Sequence, residues 1–150
     1  MRRAIPAVVL LVLLAGCGGG HEKAPQLTKE QYAAALNKLC TSGNRQVAAL
    51  RLTTDIKTWK QNGQKAAKIA DQTVKGFEAV TPPDSLRDAA LKYTKASEDL
   101  VSAVSDAANA AKNGNTKKFD IALSRQQNSS LQARGYAHEL GATACSGESN

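Results

Sequence analysis

The sequence predicts an all-α protein whose main part is an antiparallel, up-down-up-down four-helix bundle. Observations on composition, on the spacing of apolar residues and on the connections favour this fold class. Aromatic residues make up only 4% of the chain, and alanine is abundant, a mixture typical of closely packed helices. From residue 27 onward, apolar side chains recur at spacings of three and four, the period of one helix face. Short turn signals separate these stretches, and short connections require consecutive helices to lie antiparallel.

The first two predicted helices have clear start signals. Thr28 and Gln31 are spaced as a capping box, which predicts that the first helix begins there. The second helix is predicted to begin after Thr53 and Thr54, whose hydroxyls can cap it, and to end before Pro82. A three-helix alternative, in which these two helices fuse through residues 51–55, stays open.

The last two predicted helices are bounded by proline, asparagine and glycine. The third helix follows Pro83 and ends at Gly114, because glycine readily adopts the left-handed conformation that closes a helix. Asn115 or Thr116 is predicted to cap the fourth helix, and Gly141 to end it. A short tail follows, and we expect it to fold back along the first helix.

The first sixteen residues are typical of an export signal. Arg2 and Arg3 form its positive region, and the apolar residues 4–14 are fewer than the roughly 20 that span a membrane. The next stretch, Leu14-Ala15-Gly16-Cys17, resembles the lipobox of bacterial lipoproteins. The resemblance implies diacylglyceryl transfer to the Cys17 thiol and cleavage after Gly16. Acyl chains on Cys17 imply an anchor in the cell membrane, on its extracytoplasmic face. An ordinary secretory signal with a stray cysteine is the alternative.

Residues 17–27 are predicted to be a flexible tether, because three glycines follow Cys17. The bundle domain is predicted at residues 28–145 and a disordered tail at residues 146–150. Removal of Arg2 and Arg3 leaves 18 basic against 13 acidic residues, a net charge of about +5. Such a domain is attracted to anionic lipids or wall polymers. A nucleic-acid partner is not expected, because runs of basic residues interleaved with aromatic ones are absent from the sequence.

Two cysteines remain once Cys17 is assigned to lipid. Cys40 and Cys145 are an even pair in an oxidising compartment, which predicts a disulfide. A metal site formed by both cysteines and His138 is the alternative, although it lacks the close ligand spacing of zinc motifs. No cofactor is expected, since Met1 and His138 offer no complete ligand set for haem or a di-iron centre.

A wider pattern extends over most of the predicted domain. It consists of a cysteine in the first helix, a proline-rich turn before the third helix, and a C-terminal Leu-Gly followed by a cysteine: Cys40, Thr81-Pro82-Pro83-Asp84, and Leu140-Gly141 with Cys145. In this the chain is similar to small exported lipoproteins of high-GC Gram-positive bacteria. The resemblance implies a disulfide-closed helical domain and no particular activity.

The predicted helix faces are aromatic near both ends of the bundle and small or polar around its middle. The middle positions include Ala66, Ala70, Ser97 and Gln126. Either the helices approach closely there, which small residues favour, or they leave a pocket for a small ligand. A buried Gln126 needs a hydrogen-bond partner, which Ser97 or Ser129 could supply.

Catalytic motifs are absent from the sequence, including G-x-S-x-G, H-E-x-x-H and phosphate-binding loops. We therefore expect a non-enzymatic lipoprotein that binds another component of the cell envelope: a protein, an anionic lipid or a wall polymer. The predicted contact is a basic face on the second helix, formed by Lys57, Lys60, Lys65, Lys68 and Lys75. The alternative is a small-ligand carrier or sensor that uses the mid-bundle pocket.

Overall fold

The computed structural model describes residues 26–147, which form a bundle of helices. The helices are α1 (Lys29–Ala49), α2 (Ile56–Glu78), α3 (Arg87–Lys112), α4 (Thr116–Glu139) and α5 (Thr143–Ser146), with a 3₁₀ turn at Asp84–Leu86. The all-α fold class is confirmed. The predicted signal peptide, Cys17, the tether up to residue 25 and the tail from residue 148 lie outside the described residues. Within residues 26–147, no helix combines the length and apolar character needed to cross a membrane.

Local side-chain chemistry determines where α1 and α2 begin. The Gln31 amide donates to the Thr28 hydroxyl at 3.2 Å, and the Thr28 amide donates to Gln31 Oε1 at 2.9 Å, which completes the predicted capping box. Asp55, and neither of the two preceding threonines, caps α2 by accepting from the Lys57 amide at 2.9 Å. A carboxylate at this position also complements the positive end of the helix dipole, which explains why Asp55 caps the helix in place of a threonine.

The connection after α1 contains a residue, Arg51, whose left-handed conformation the sequence patterns did not indicate. Arg51 has a positive φ of 51° in the connection after α1, so the three-helix alternative, which required a continuous helix there, is wrong. Asn115 caps α4 by accepting from the Lys118 amide at 3.0 Å. Gly114 and Gly141 take the predicted left-handed conformation, with φ of 66° and 71°.

Consecutive helices run antiparallel, as the short connections require. Between α1 and α2, Gly43 lies against Thr73 and Leu39 lies against Gly76, so residue numbers rise in opposite directions along the two helices. The helices that pack most closely are α3 with α4 and α2 with α3. By contrast, α1 lies close to α2 and α5 but makes hardly any close backbone approach to α4.

Two clusters of buried side chains lie at different levels of the bundle. The first draws residues from all four long helices, among them Tyr32, Leu36, Phe77, Tyr93 and Ala137. The second joins α2, α3 and α4 around Trp59 and Phe119, whose rings meet edge to face with centroids 5.8 Å apart. Leu50, at the C-cap of α1, packs against this second cluster. On α1, the residues between Cys40 and the C-cap Leu50 therefore belong to neither cluster.

The C-terminal segment folds back onto α1 as expected, but it does so as a short helix, α5, that was not predicted and lies partly inside the predicted tail. Two asparagines of α1 hold the Ala144 peptide groups: Asn37 Oδ1 accepts from the Ala144 amide at 2.9 Å, and Asn44 Nδ2 donates to its carbonyl at 3.1 Å. The adjacent Cys145 is bonded to Cys40, with their Cα atoms 5.2 Å apart. The predicted disulfide is confirmed.

The predicted tether ends earlier than residue 27. The Gln26 side-chain amide donates to Asp84 Oδ1 at 3.1 Å, and Leu27 packs against the first core cluster. These two residues belong to the folded domain, because a hydrogen bond joins Gln26 to the 3₁₀ turn before α3 and an apolar contact joins Leu27 to the core.

Candidate functional site

A cavity of about 910 Å³ lies between the helices and extends along most of the length of the bundle. Its walls extend along α2 from Trp59 to Phe77, a rise of about 27 Å. Binding sites for small molecules usually have volumes of about 300–1,000 Å³. The cavity is therefore large enough for an elongated organic ligand.

The inner walls of the cavity are mostly apolar. Helices α2 and α3 supply this surface, which includes Ala66, Ile69, Ala70, Leu100, Val101 and Val104. Ala66 and Val104 are buried, and the other four are half-buried. A surface of this kind attracts hydrocarbon, since each Å² of apolar surface removed from water contributes about 25 cal/mol.

The cavity opens to solvent between α1 and α4. Its exposed lining residues include Asn44 on α1, four residues of α4, and Gly147 after α5. The four on α4 are Ser124, Gln127, Leu131 and Arg134. Among the described residues, no exposed lining residue lies on α2 or α3, so the mouth faces away from these helices.

The side chains of α4 explain why α1 and α4 stay apart. Gln127, Ser130 and Arg134 are spaced by three and four residues and so share one face of α4. This face lines the mouth of the cavity. A polar face gains little by packing against another helix, because its hydrogen bonds to water would be lost. At one end α5 and the disulfide bridge the gap, and beyond them it stays open.

Close packing at mid-bundle, which the small residues favoured, is found on one side of the bundle only. A Cβ atom built on Gly63 would lie 3.0 Å from the Ala108 Cα, so α2 and α3 are in near backbone contact. The expectation is wrong for α1 and α4, which leave the cavity between them.

The four predicted pocket residues, Ala66, Ala70, Ser97 and Gln126, all line this cavity. Ser97 is 4% exposed, and it interacts with the Tyr93 hydroxyl. Gln126 Oε1 is buried and has no hydrogen-bond partner among residues 26–147. Neither Ser97 nor Ser129 therefore supplies the partner that the sequence suggested.

Tyr93 contributes a neutral hydroxyl to the cavity wall. This hydroxyl lies 3.5 Å from Cys40 Sγ and is the donor, because the sulfur carries no proton in a disulfide. Burial raises the pKa of Tyr93 above its usual value of 10.0, and the interaction with Ser97 opposes the rise. The group is therefore protonated at physiological pH.

Arg134 is the only charged residue among those that line the cavity in the described part of the chain. It is exposed at the mouth, beside Gly147, and it forms no ion pair with a carboxylate of residues 26–147. Its position did not emerge from the sequence, where Arg134 falls outside the apolar seam. The sequence signal that could have indicated this position is the polar run through Gln127 and Ser130 to Arg134, spaced by three and four residues.

The five lysines of the predicted contact face are all exposed, on the side of α2 opposite the cavity. At 3.6 residues per turn they fall within about 140° of the helix circumference. Lys75 Nζ pairs with Asp71 Oδ2 at 2.8 Å. Among residues 26–147, no ion pair involves the other four lysines.

The described residues contain no group of three or more His, Cys, Asp and Glu side chains that could hold a metal ion. The alternative metal site is wrong, because Cys40 and Cys145 share a disulfide and so offer no thiolate. His138, its third predicted ligand, is exposed. Comparisons with family models, with curated proteins and with solved structures give no match for this chain.

Proposed function

We propose that the protein is a lipid-anchored binding module on the extracytoplasmic face of the membrane, and that it takes up a small, largely apolar molecule between α1 and α4. The observation that carries the ligand proposal is the cavity, with its volume of about 910 Å³, its apolar inner walls and its mouth. The lipobox at Leu14-Ala15-Gly16-Cys17 supports the anchor. Of the two functions expected from the sequence, the cavity favours the carrier or sensor.

The hydrophobic effect sets a lower limit on the size of the ligand. Each buried methylene contributes about 0.8 kcal/mol, so a chain of about twelve contributes roughly 10 kcal/mol. Association costs at least about 4 kcal/mol of lost freedom. The remaining 6 kcal/mol or so corresponds to a Kd of some tens of micromolar, and much shorter chains bind too weakly to matter.

Trp59 offers a direct test, because it is the only tryptophan of the chain and lines one end of the cavity. The lipidated protein is held on vesicles by its anchor and titrated with hexadecanol that carries bromine on its last carbon. Bromine quenches tryptophan fluorescence on contact. We expect saturable quenching of Trp59, and none from hexadecanol without bromine.

A matched pair of variants separates the cavity from the rest of the surface. Ala70→Phe fills the cavity at its half-buried wall, whereas Ala34→Phe makes the same change at an exposed position of α1. Quenching should weaken at least about tenfold in Ala70→Phe and stay unchanged in Ala34→Phe, since a ring that occupies the site excludes the chain. Equal quenching in all three proteins, or none in the wild type, would contradict the ligand proposal.

Mass spectrometry of the protein extracted from membranes tests the anchor separately. We expect a mature chain that begins at Cys17, carries acyl chains on this residue, and is two hydrogen atoms lighter than the reduced form because of the Cys40–Cys145 disulfide. Recovery of an unprocessed chain without lipid from the soluble fraction would contradict the proposed anchor. It would not contradict the proposed ligand site.

We also propose that the lysine face of α2 contacts an anionic component of the envelope, which would orient the anchored domain. Four of its lysines have no ion-pair partner in the described part of the chain, and each basic residue near an anionic surface contributes about 1 kcal/mol. Contact through this face would leave the mouth of the cavity accessible, because the two lie on opposite sides of α2.

Charge reversal on this face tests the second proposal. Lys57→Glu, Lys60→Glu and Lys68→Glu together should greatly reduce binding of vesicle-anchored protein to soluble teichoic acid. The control reverses two exposed lysines at the start of α4, Lys117 and Lys118. Binding that both sets reduce alike, or that high salt leaves unchanged, would show that the face has no specific role.

A further inference from the structure

The mouth of the cavity combines one cation with one exposed apolar side chain. Leu131 is 60% exposed, which is unusual for a leucine of a packed helix, and Arg134 follows it by three residues, on the same face of α4. Both line the cavity. An apolar group and a guanidinium that forms no ion pair within residues 26–147 lie together at the entrance to an apolar chamber, and they match the two ends of an amphiphile.

We infer that the ligand is a single-chain amphiphile with an anionic headgroup, which Arg134 holds at the mouth while the chain lies along the apolar wall of α2 and α3. This rests on the proposed function, that the cavity binds an apolar molecule. A guanidinium pairs with a carboxylate or a phosphate through two parallel hydrogen bonds, so either headgroup fits this site.

The dimensions of the cavity suit a chain of membrane length. Trp59 and Phe119 contact each other, and Arg134 lies fifteen residues beyond Phe119, about 22 Å along α4. A lipid chain spans half of the hydrocarbon core of a bilayer, about 15 Å. A chain whose headgroup meets Arg134 therefore extends about two thirds of the way toward Trp59, and its far end is the part that lies nearest the indole ring.

The position of Arg134 within the bundle points to the membrane as the source of the ligand. Its neighbours Ala133 and Ala137 lie in the same core cluster as Tyr32 and Leu36 of α1. Arg134 is therefore in the half of the bundle where α1 begins and where the predicted tether joins.

Gln126 lies about 12 Å further along α4, and its amide can bond to a water or to a hydroxyl on the chain.

The test compares two probes with equal chains on the vesicle-anchored, full-length mature protein. One is palmitate with bromine on its last carbon, and the other is the equally brominated hexadecanol. We expect palmitate to quench Trp59 at about fivefold lower concentration than hexadecanol does. One partly exposed ion pair contributes about this factor to affinity. Palmitate with bromine next to the carboxylate should quench weakly, because that end stays at Arg134.

Two arginine variants identify the residue responsible. Arg134→Gln should remove the fivefold advantage of palmitate and leave hexadecanol unchanged, while Arg134→Lys should retain part of it. The control Arg45→Gln removes an exposed arginine of α1 that does not line the cavity, and should change neither probe. Dodecyl phosphate and laurate are then compared as competitors of brominated palmitate. The stronger competitor shows whether the site prefers a phosphate or a carboxylate headgroup.

The outcomes separate this inference from the function on which it rests. If hexadecanol and palmitate quench equally, or if Arg134→Gln leaves palmitate unaffected, the anionic headgroup is wrong and the apolar site stands. If neither probe quenches Trp59, the proposed function fails as well. If quenching appears only after the acyl chains of Cys17 are removed, the cavity holds the protein's own anchor, which also overturns the inference.

Discussion

Gln126 lines the cavity, and its Oε1 is buried without a hydrogen-bond partner in the described chain. Such an acceptor costs about 1–3 kcal/mol of stability, because its bond to water is lost on folding. Groups that lower stability in this way are common at binding sites, where a ligand or a bound water completes the missing bond. The sequence could place Gln126 among the inward-facing positions but could not reveal that its neighbours leave it unsatisfied.

Replacement of this side chain should therefore stabilise the empty protein. We expect Gln126→Leu to increase the free energy of unfolding by about 1 kcal/mol, since it removes the unpaired oxygen and adds apolar contact. Urea denaturation followed by circular dichroism measures the change. Gln127→Leu is the control, because Gln127 is exposed and should shift stability by less than about 0.5 kcal/mol. A clear loss of stability in Gln126→Leu would show that the oxygen has a partner.

Tyr93 makes stability depend on alkaline pH. Burial raises its pKa in the folded state above the usual 10.0, so both states are protonated at lower pH and the group then has no effect on the pH dependence. Above pH 10 the unfolded state loses the proton first, and the free energy of unfolding falls as pH rises, by up to about 1.4 kcal/mol per unit. Urea denaturation between pH 9 and 11 should show this slope, reduced in Tyr93→Phe. An equal slope in the variant would rule Tyr93 out as its source.

At the scale of helices, periodicity predicted the four long helices because it is a property of neighbouring residues. Which helix each face packs against depends on the faces of the other helices. Sequence patterns therefore indicate the packing partners less well than they indicate the helices. The near contact of Gly63 with Ala108 of α3, for example, is visible only in the structure. The short helix α5 was missed because its four residues are too few to show a period.

The contact between α2 and α3 can be tested at Gly63. A methyl group there meets backbone of Ala108 and the Trp59 ring, so Gly63→Ala should lower the free energy of unfolding by about 1 kcal/mol or more, despite the better helix propensity of alanine. Gly135 of α4 has open space around its Cα, so Gly135→Ala should raise stability by about 0.5–1 kcal/mol. Thermal and urea unfolding compare the two variants. Similar shifts in both would contradict the close approach of α2 and α3.

The disulfide fixes α5 across the gap between α1 and α4. It joins residues 105 apart in sequence, and loop-closure entropy predicts that its loss costs about 4.7 kcal/mol, with measured values more often about 2–4 kcal/mol. We expect the double variant Cys40→Ala, Cys145→Ala to lose stability in this range. Hydrogen exchange should also show faster exchange of the α5 amides, because the covalent link to α1 is lost and the Asn37 and Asn44 hydrogen bonds remain. Unchanged exchange of α5 would mean that the asparagines suffice.

At the scale of the whole molecule, the cavity follows from a mismatch between two helices. Sequence patterns identified Ala66, Ala70, Ser97 and Gln126 as facing inward, and all four line the cavity. They favoured closure, because small residues usually bring helices together. The decisive feature is the polar face of α4 that lines the mouth and leaves α1 packed mainly on α2 and α5. Such a gap depends on how four helices share their faces, which no single stretch of sequence specifies.

Under the proposed function, the protein would be a carrier positioned at the source of its ligand. A tether that joins the bundle at residue 26 would hold the half containing Arg134 near the bilayer, where single-chain anionic amphiphiles are found. An apolar chamber in that position would shield a chain from water during transfer between the membrane and the envelope.

The most direct measurement is a crystal structure of the protein soaked with palmitate that carries bromine on its last carbon. Anomalous scattering locates the bromine independently of the chain. We predict a bromine peak in the cavity near Trp59 and carboxylate density beside the Arg134 guanidinium. A structure in which α1 packs against α4, with no bromine between the helices, would contradict the binding site.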